Sequence, residues 1–159
     1  QFYFDRNDTE QCKAALRRAL APAPTRHKEQ YAYEQIGHRE SWVADCYYHN
    51  AAYLAYRLGD RTLCRAVCDR WREFILKVQH YGGVEEQVLR MVCAVNESDW
   101  DVAAELLREM RRSSNYAVWQ EDGIQVIERV VREKNDKYDY NPKLFRPAGA
   151  PLPVEFDYK

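Results

Sequence analysis

Apolar residues recur at intervals of three and four along almost the whole chain, the period of an amphipathic helix, and no stretch alternates convincingly with the period of a strand. The pattern predicts about six helices. The first follows a cap at Asp8 or Thr9 and buries Cys12, Ala15, Leu16, Ala19 and Leu20. It stops at Ala21-Pro22-Ala23-Pro24, because proline has no amide to donate and biases its predecessor away from helix. A long second helix is expected from about Thr25 to Leu58, bent near Gly37, with Val43, Cys46, Tyr47, Ala51, Leu54 and Leu58 as its inner stripe. Gly59-Asp60 ends it and caps a third, whose broad face is Leu63, Val67, Trp71, Phe74, Ile75 and Val78. Gly82-Gly83 turns the chain into a fourth helix carrying Val84, Val88, Met91, Val92 and Val95. Ser98 or Asp99 caps a fifth, with Trp100, Ala103, Leu106, Leu107 and Met110 inside, and Trp119, Ile124, Ile127, Val130 and Val131 mark a sixth.

Residues 135–159 break the pattern. Pro142, Pro147, Pro151 and Pro153 stand among Tyr138, Tyr140, Leu144, Phe145, Leu152, Val154, Phe156 and Tyr158. Proline at this density excludes helix and favours extended backbone. The expected organisation is a helical domain over residues 1–134 and an extended tail, rich in proline and aromatics, over 135–159. The tail lies either in a groove of its own helices or on another chain. The fold class is all-α: stacked antiparallel helical hairpins in a helical-repeat-like bundle, with an extended C-terminal tail.

Ala52-Tyr53-Leu54-Ala55-Tyr56-Arg57-Leu58-Gly59-Asp60, with Cys64 and Cys68 in the next helix, resembles the turn of a tetratricopeptide-type hairpin, where small residues let two helices pack closely. Asn96-Glu97-Ser98-Asp99-Trp100-Asp101, with Ala103 and Ala104 after it, looks like a second copy of that turn. Asp60 and Asp99 stand 39 residues apart, longer than the roughly 34 of the regular repeat. The first copy also has Leu76 where the repeat's terminal proline would stand. The resemblance covers about 60 residues and implies stacked helical hairpins; no binding residues carry over.

Composition narrows the function. At 46% hydrophobic and 31% charged, the 159 residues hold enough apolar material for a core. Lys and Arg total 24 against 25 Asp and Glu, a net charge of -1, which argues against a partner coated in phosphate, so no nucleic acid is expected. No run approaches the roughly 18 apolar residues of a membrane span, so no membrane partner is expected. Residues 1–6 do not read as a signal peptide, and the missing initiator Met suggests a processed chain. Five cysteines, Cys12, Cys46, Cys64, Cys68 and Cys93, include no Cys-x-x-Cys pair and read as small apolar core residues in a reducing, cytoplasmic compartment. Cys12, beside Lys13, is the best-placed candidate for a reactive thiol.

Catalytic chemistry finds little footing. Glu34 and His38, and Asp45 and His49, are carboxylate–histidine pairs four apart on the long helix, and could meet a metal if another helix completed the shell. The metal motif of helical bundles uses a spacing of three, however, and no matching partner occurs elsewhere, so a solvated helix face is the preferred reading. Gly-x-Ser-x-Gly and Gly-rich phosphate loops are absent, and Arg72 and His80 are too far apart for the Arg–His motif of helical ribonucleases. No enzyme activity, cofactor or metal is expected. A metal-dependent helical-bundle enzyme is kept as an alternative.

The surface says more. Glu97, Asp101, Glu105 and Glu109 recur every four residues, a ridge opposite Leu106 and Leu107 with Arg108 and Arg112 alongside. Like charges at this spacing cost a few tenths of a kcal/mol per pair, so the helix gains nothing from them as a set. Residues 1–80 hold 13 basic and 10 acidic residues, net +3; residues 81–159 hold 11 and 15, net −4. The ridge reads as a solvated face or as a docking edge for a basic protein. Tyr31, Tyr33, Tyr47, Tyr48, Tyr53 and Tyr56 decorate different sides of one helix, so some should be surface, where tyrosine favours interfaces. The partner-binding candidates are Glu97, Asp101, Glu105, Glu109, Tyr48, Tyr56, Phe156 and Tyr158. The expected function is a non-enzymatic protein-binding module, most concretely an inhibitor that blocks a basic toxin or effector. In size, charge and helical build the chain resembles the small helical immunity proteins of bacterial toxin–immunity pairs. A tetratricopeptide-like adaptor or chaperone that grips a peptide is the alternative binding class.

Overall fold

A computed structural model describes residues 8–20, 38–78, 84–112 and 120–145. Six α-helices and no strand occur among them: α1 (Thr9–Leu20), α2 (His38–Arg57), α3 (Arg61–Val78), α4 (Glu85–Asn96), α5 (Trp100–Arg112) and α6 (Glu121–Glu133). A short 3-10 turn, Pro142–Leu144, follows. The chain divides into two compact units, Gln1–His80 and Tyr81–Lys159. The charge asymmetry between residues 1–80 and 81–159 therefore falls on the division between units.

In the first unit α2 and α3 form a helical hairpin, and α1 packs on both. Asp8 starts α1, its Oδ1 accepting the Gln11 amide at 3.1 Å. Most of the inner face of α3 is as the spacing predicts: Leu63, Val67, Trp71 and Phe74 are buried, joined by Cys64 and Cys68, whereas Ile75 is half-buried. The end of α2 is not a stripe. Every residue from Ala51 to Tyr56 is buried, in a helix that both α1 and α3 contact. Ala52 and Ala55, with no exposed surface, supply the small residues that close packing of two helices needs. Residues 25–37, the expected first part of the long helix, lie outside the described residues.

In the second unit α4 packs on α5, and α5 on α6. Of the predicted core positions, Val84, Val88, Met91, Val92, Val95, Ala103, Leu106, Met110, Ile124, Ile127 and Val130 are buried, whereas Trp100, Leu107 and Val131 are half-buried and Trp119 lies outside the described residues. Arg111 ties α5 to α6. Its guanidinium makes a two-pronged contact with Glu121 (2.9 and 3.1 Å), and its Nε donates to Glu128 at 2.6 Å.

Beyond α6 the chain returns along its own unit. The Asn96 side-chain amide donates to the carbonyls of Asp136 (3.0 Å) and Tyr138 (2.9 Å). Tyr140 and Phe145 are buried with their rings stacked at 5.8 Å, and the buried Gln120 amide donates to the Phe145 carbonyl at 3.0 Å. A Cβ on Gly123 would sit 2.7 Å from both the Leu144 carbonyl oxygen and the Phe145 ring, so only glycine admits this strap against the start of α6. Residues 135–145, the first part of the expected tail, thus lie on the helices of their own unit; residues 146–159 are outside the described residues.

The two hairpins turn in the same way. Gly59 and Ser98 both adopt left-handed backbone, with φ of 72° and 59°. The Gly59 amide donates to the Tyr56 carbonyl and the Asp60 amide to the Ala55 carbonyl; Ser98 and Asp99 repeat this on Val95 and Ala94. These are the paired bonds of a Schellman ending. Asp60 and Asp99 then cap the next helix, Oδ1 accepting the amides of Leu63 (2.9 Å) and Val102 (3.4 Å). The chain's two turns thus match each other bond for bond. Serine has a Cβ where glycine has none, and left-handed backbone costs such a residue about 1 kcal/mol. Ser98→Gly is accordingly expected to stabilise the fold by roughly 0.5–1 kcal/mol, read as a higher urea midpoint at unchanged slope.

Candidate functional site

The start of α5 gathers the acidic residues, and helix physics explains part of that. Asp99 caps the helix, Asp101 lies in its first turn and Arg111 and Arg112 in its last, the order that the helix dipole favours. The remaining carboxylates have no such role. Glu97, Asp101 and Glu105 are exposed, whereas Glu109 is half-buried. Glu105 pairs with Arg108 at 2.7 Å, an exposed contact one turn along, of the sort that contributes no more than about 0.5 kcal/mol. The ridge is therefore acidic at its turn end and mixed in charge farther on. At its acidic end Val102 is 46% exposed, an apolar side chain on the outer side of a helix whose inner side holds Ala103, Leu106 and Met110.

The tyrosine candidates fare differently. Tyr48 is half-buried against Phe74, ring centroids 5.5 Å apart. Tyr56 offers no free surface and is corrected to a core residue: it is 4% exposed, stacks with Tyr53 and carries the Arg61 guanidinium 4.2 Å above its ring. The reason is that α2 is enclosed on more than one side, which periodicity along a single helix cannot reveal. Phe156 and Tyr158 lie outside the described residues.

His49 is buried and stacks on Trp71 at 5.3 Å, while the side chains of Glu34, His38 and Asp45 lie outside the described residues. Among the described residues no group of three or more His, Cys, Asp or Glu is placed to hold a metal. No described helix is long and apolar enough to cross a membrane. Cys12, Cys64, Cys68 and Cys93 are buried free thiols, and burial pushes the Cys12 thiol above its ordinary range. That is the opposite of what a nucleophilic thiolate requires. In the strap, burial first and the Asp139 charge second push the Tyr138 phenol up to about 12. Since the neutral phenol is the favoured form in the fold, its contribution is intact below pH 10 and lost as pH rises towards 12.

Two features of the structure lie outside the periodic pattern of the sequence. Gly123 had a signal, a glycine inside a helical pattern where alanine would be better by about 1 kcal/mol. Val102 falls off the apolar stripe of α5; its signal in the sequence is the 39-residue offset, which pairs it with Leu63. Comparison with known proteins gives no match to a family model, a curated protein or a solved structure.

Proposed function

We propose that the protein is a non-enzymatic protein-binding module whose docking edge is the α4–α5 hairpin, and that it acts as an inhibitor of the immunity type by covering the working surface of a basic partner. The observation that carries this reading is the exposed Val102 set among the exposed carboxylates of Glu97, Asp101 and Glu105. An apolar contact within a charged surround is the anatomy of a protein interface: the apolar centre contributes affinity, and the charges steer encounter and select the partner. The net charge of −4 over residues 81–159 adds to the field that a basic protein would meet.

The test begins with the protein retained by the immobilised chain from its native extract, purified and titrated by calorimetry. A one-to-one complex is expected. Asp101→Lys with Glu105→Lys should raise its Kd at least tenfold, about 1.4 kcal/mol, with the loss greatest at low salt. Equal affinity of the wild-type and charge-reversed chains would reject the acidic edge. Retention of short extended peptides, in place of a folded basic protein, would favour the adaptor reading.

A further inference from the structure

The internal repeat provides a template for what sits on the acidic hairpin. At an offset of 39 residues, Asp60 corresponds to Asp99, Leu63 to Val102, Cys64 to Ala103 and Val67 to Leu106. The inner pairs agree: Cys64, Val67, Ala103 and Leu106 are all buried. The outer pairs do not. Leu63 is 6% exposed against 46% for Val102, and the Asp60 side chain is 13% exposed whereas Asp99 is an exposed residue.

The first unit carries a helix in this region. There α1 packs on both α2 and α3, and its last-turn Arg17 reaches the turn, Nη2 lying 2.5 Å from Asp60 Oδ2. Asp60 thus spends one oxygen on the helix cap and gives the other to a basic residue of the overlying helix. Asp99 spends Oδ1 in the same way, and its Oδ2 meets no donor among the described residues.

We infer that the α4–α5 turn is the seat for a basic amphipathic helix of the partner protein, which lies there as α1 lies on the α2–α3 turn: an arginine or lysine on Asp99 and an apolar face on Val102. The inference rests on the proposed function and names the form of its partner. Charge complementarity supports this occupant. Where the first hairpin has Leu58, Thr62 and Ala66, the second has Glu97, Asp101 and Glu105, and where the first has Arg61 and Arg65, the second has Trp100 and Ala104. The second seat is thus the more acidic, and the helix that fits it is more basic than α1.

The probe is a synthetic peptide of residues 8–20 carrying Cys12→Ala and Glu10→Lys, added to the isotope-labelled full chain and followed by amide NMR. A helix this short is marginal in water, so weak affinity is expected, with Kd below about 1 mM. Saturable shifts should centre on Ser98, Asp99 and Val102. Asp99→Asn preserves a capping residue, and combined with Val102→Lys it should weaken binding at least tenfold while leaving the spectrum folded. No saturable shift at the α4–α5 turn, or shifts confined to the α2–α3 turn where the peptide displaces α1, would overturn the seat. If the peptide fails while charge reversal at Asp101 and Glu105 still weakens the natural partner, the helical occupant is wrong and the docking edge stands. If the peptide binds as expected but charge reversal leaves the natural partner unaffected, the seat stands and the proposed function falls.

Discussion

Trp71→Ala is expected to destabilise the fold by about 3–5 kcal/mol, the range for removing a large aromatic from a close-packed core. Typical domains have only about 5–15 kcal/mol in hand, so this one change should bring the first unit close to unfolding at room temperature. Trp71 has no exposed surface and is the largest of the fully buried side chains among the described residues. It stacks on His49, itself 1% exposed, so its removal opens a cavity and strips an imidazole of its aromatic cover. Trp71→Phe keeps a ring against His49 and should cost roughly half as much. Urea unfolding followed by far-UV circular dichroism reads both variants without relying on the lost indole. A Trp71→Ala chain within 1 kcal/mol of wild type would mean that the core can close over the gap.

Gly123→Ala is the second test, and its sign is the diagnostic. At an ordinary helical position glycine to alanine stabilises by about 0.8–1 kcal/mol. Here the new methyl would meet the Leu144 carbonyl oxygen and the Phe145 ring at 2.7 Å, closer than side-chain carbons approach their neighbours. One obstacle is backbone, and the other is a ring with no exposed surface, held beneath a Gln120 hydrogen bond and stacked on Tyr140. Neither can yield cheaply. Overpacking of this sort costs about 1–3 kcal/mol, which offsets the propensity gain and leaves a net loss of up to about 2 kcal/mol. Gly123→Val should lose more, since its branches extend into the same space. Hydrogen exchange or limited proteolysis should find residues 135–145 opened while α4, α5 and α6 stay protected. A stabilised Gly123→Ala chain would show that the strap does not press on α6.

Particular elements explain how much was legible. The inner faces of α3, α5 and α6 follow from spacing, because each buries one side and a single stripe records it; α4, buried at Glu85, Glu86 and Leu89 and at every residue from Met91 to Val95, is enclosed more fully than its stripe implies. The turns at Gly59-Asp60 and Asn96-Asp99 were legible too, since left-handed backbone and helix capping are local demands met by local residues. The end of α2 was not. Six consecutive residues, Ala51 to Tyr56, are buried there, and no pattern along one helix reports a second neighbour. In the candidate site, the run of carboxylates at every fourth position was visible, but which of them pair was not. Glu105 leans on Arg108 and Glu109 is half-buried, while Glu97 and Asp101 are exposed at the turn end.

By itself the sequence determined the all-α class, the turns at Gly59-Asp60 and Asn96–Asp99 and the polarity of charge between halves, because periodicity, caps and net charge depend on residues close together in the chain. Only the tertiary structure decided that residues 135–145 are a strap, that Tyr56 is core, and that Val102 is open where Leu63 is covered. Each of these depends on which distant segment comes to lie against a given face. That is a matter of packing in three dimensions, where Asn96 finds Tyr138, Arg17 finds Asp60, and nothing along the chain between them announces the meeting.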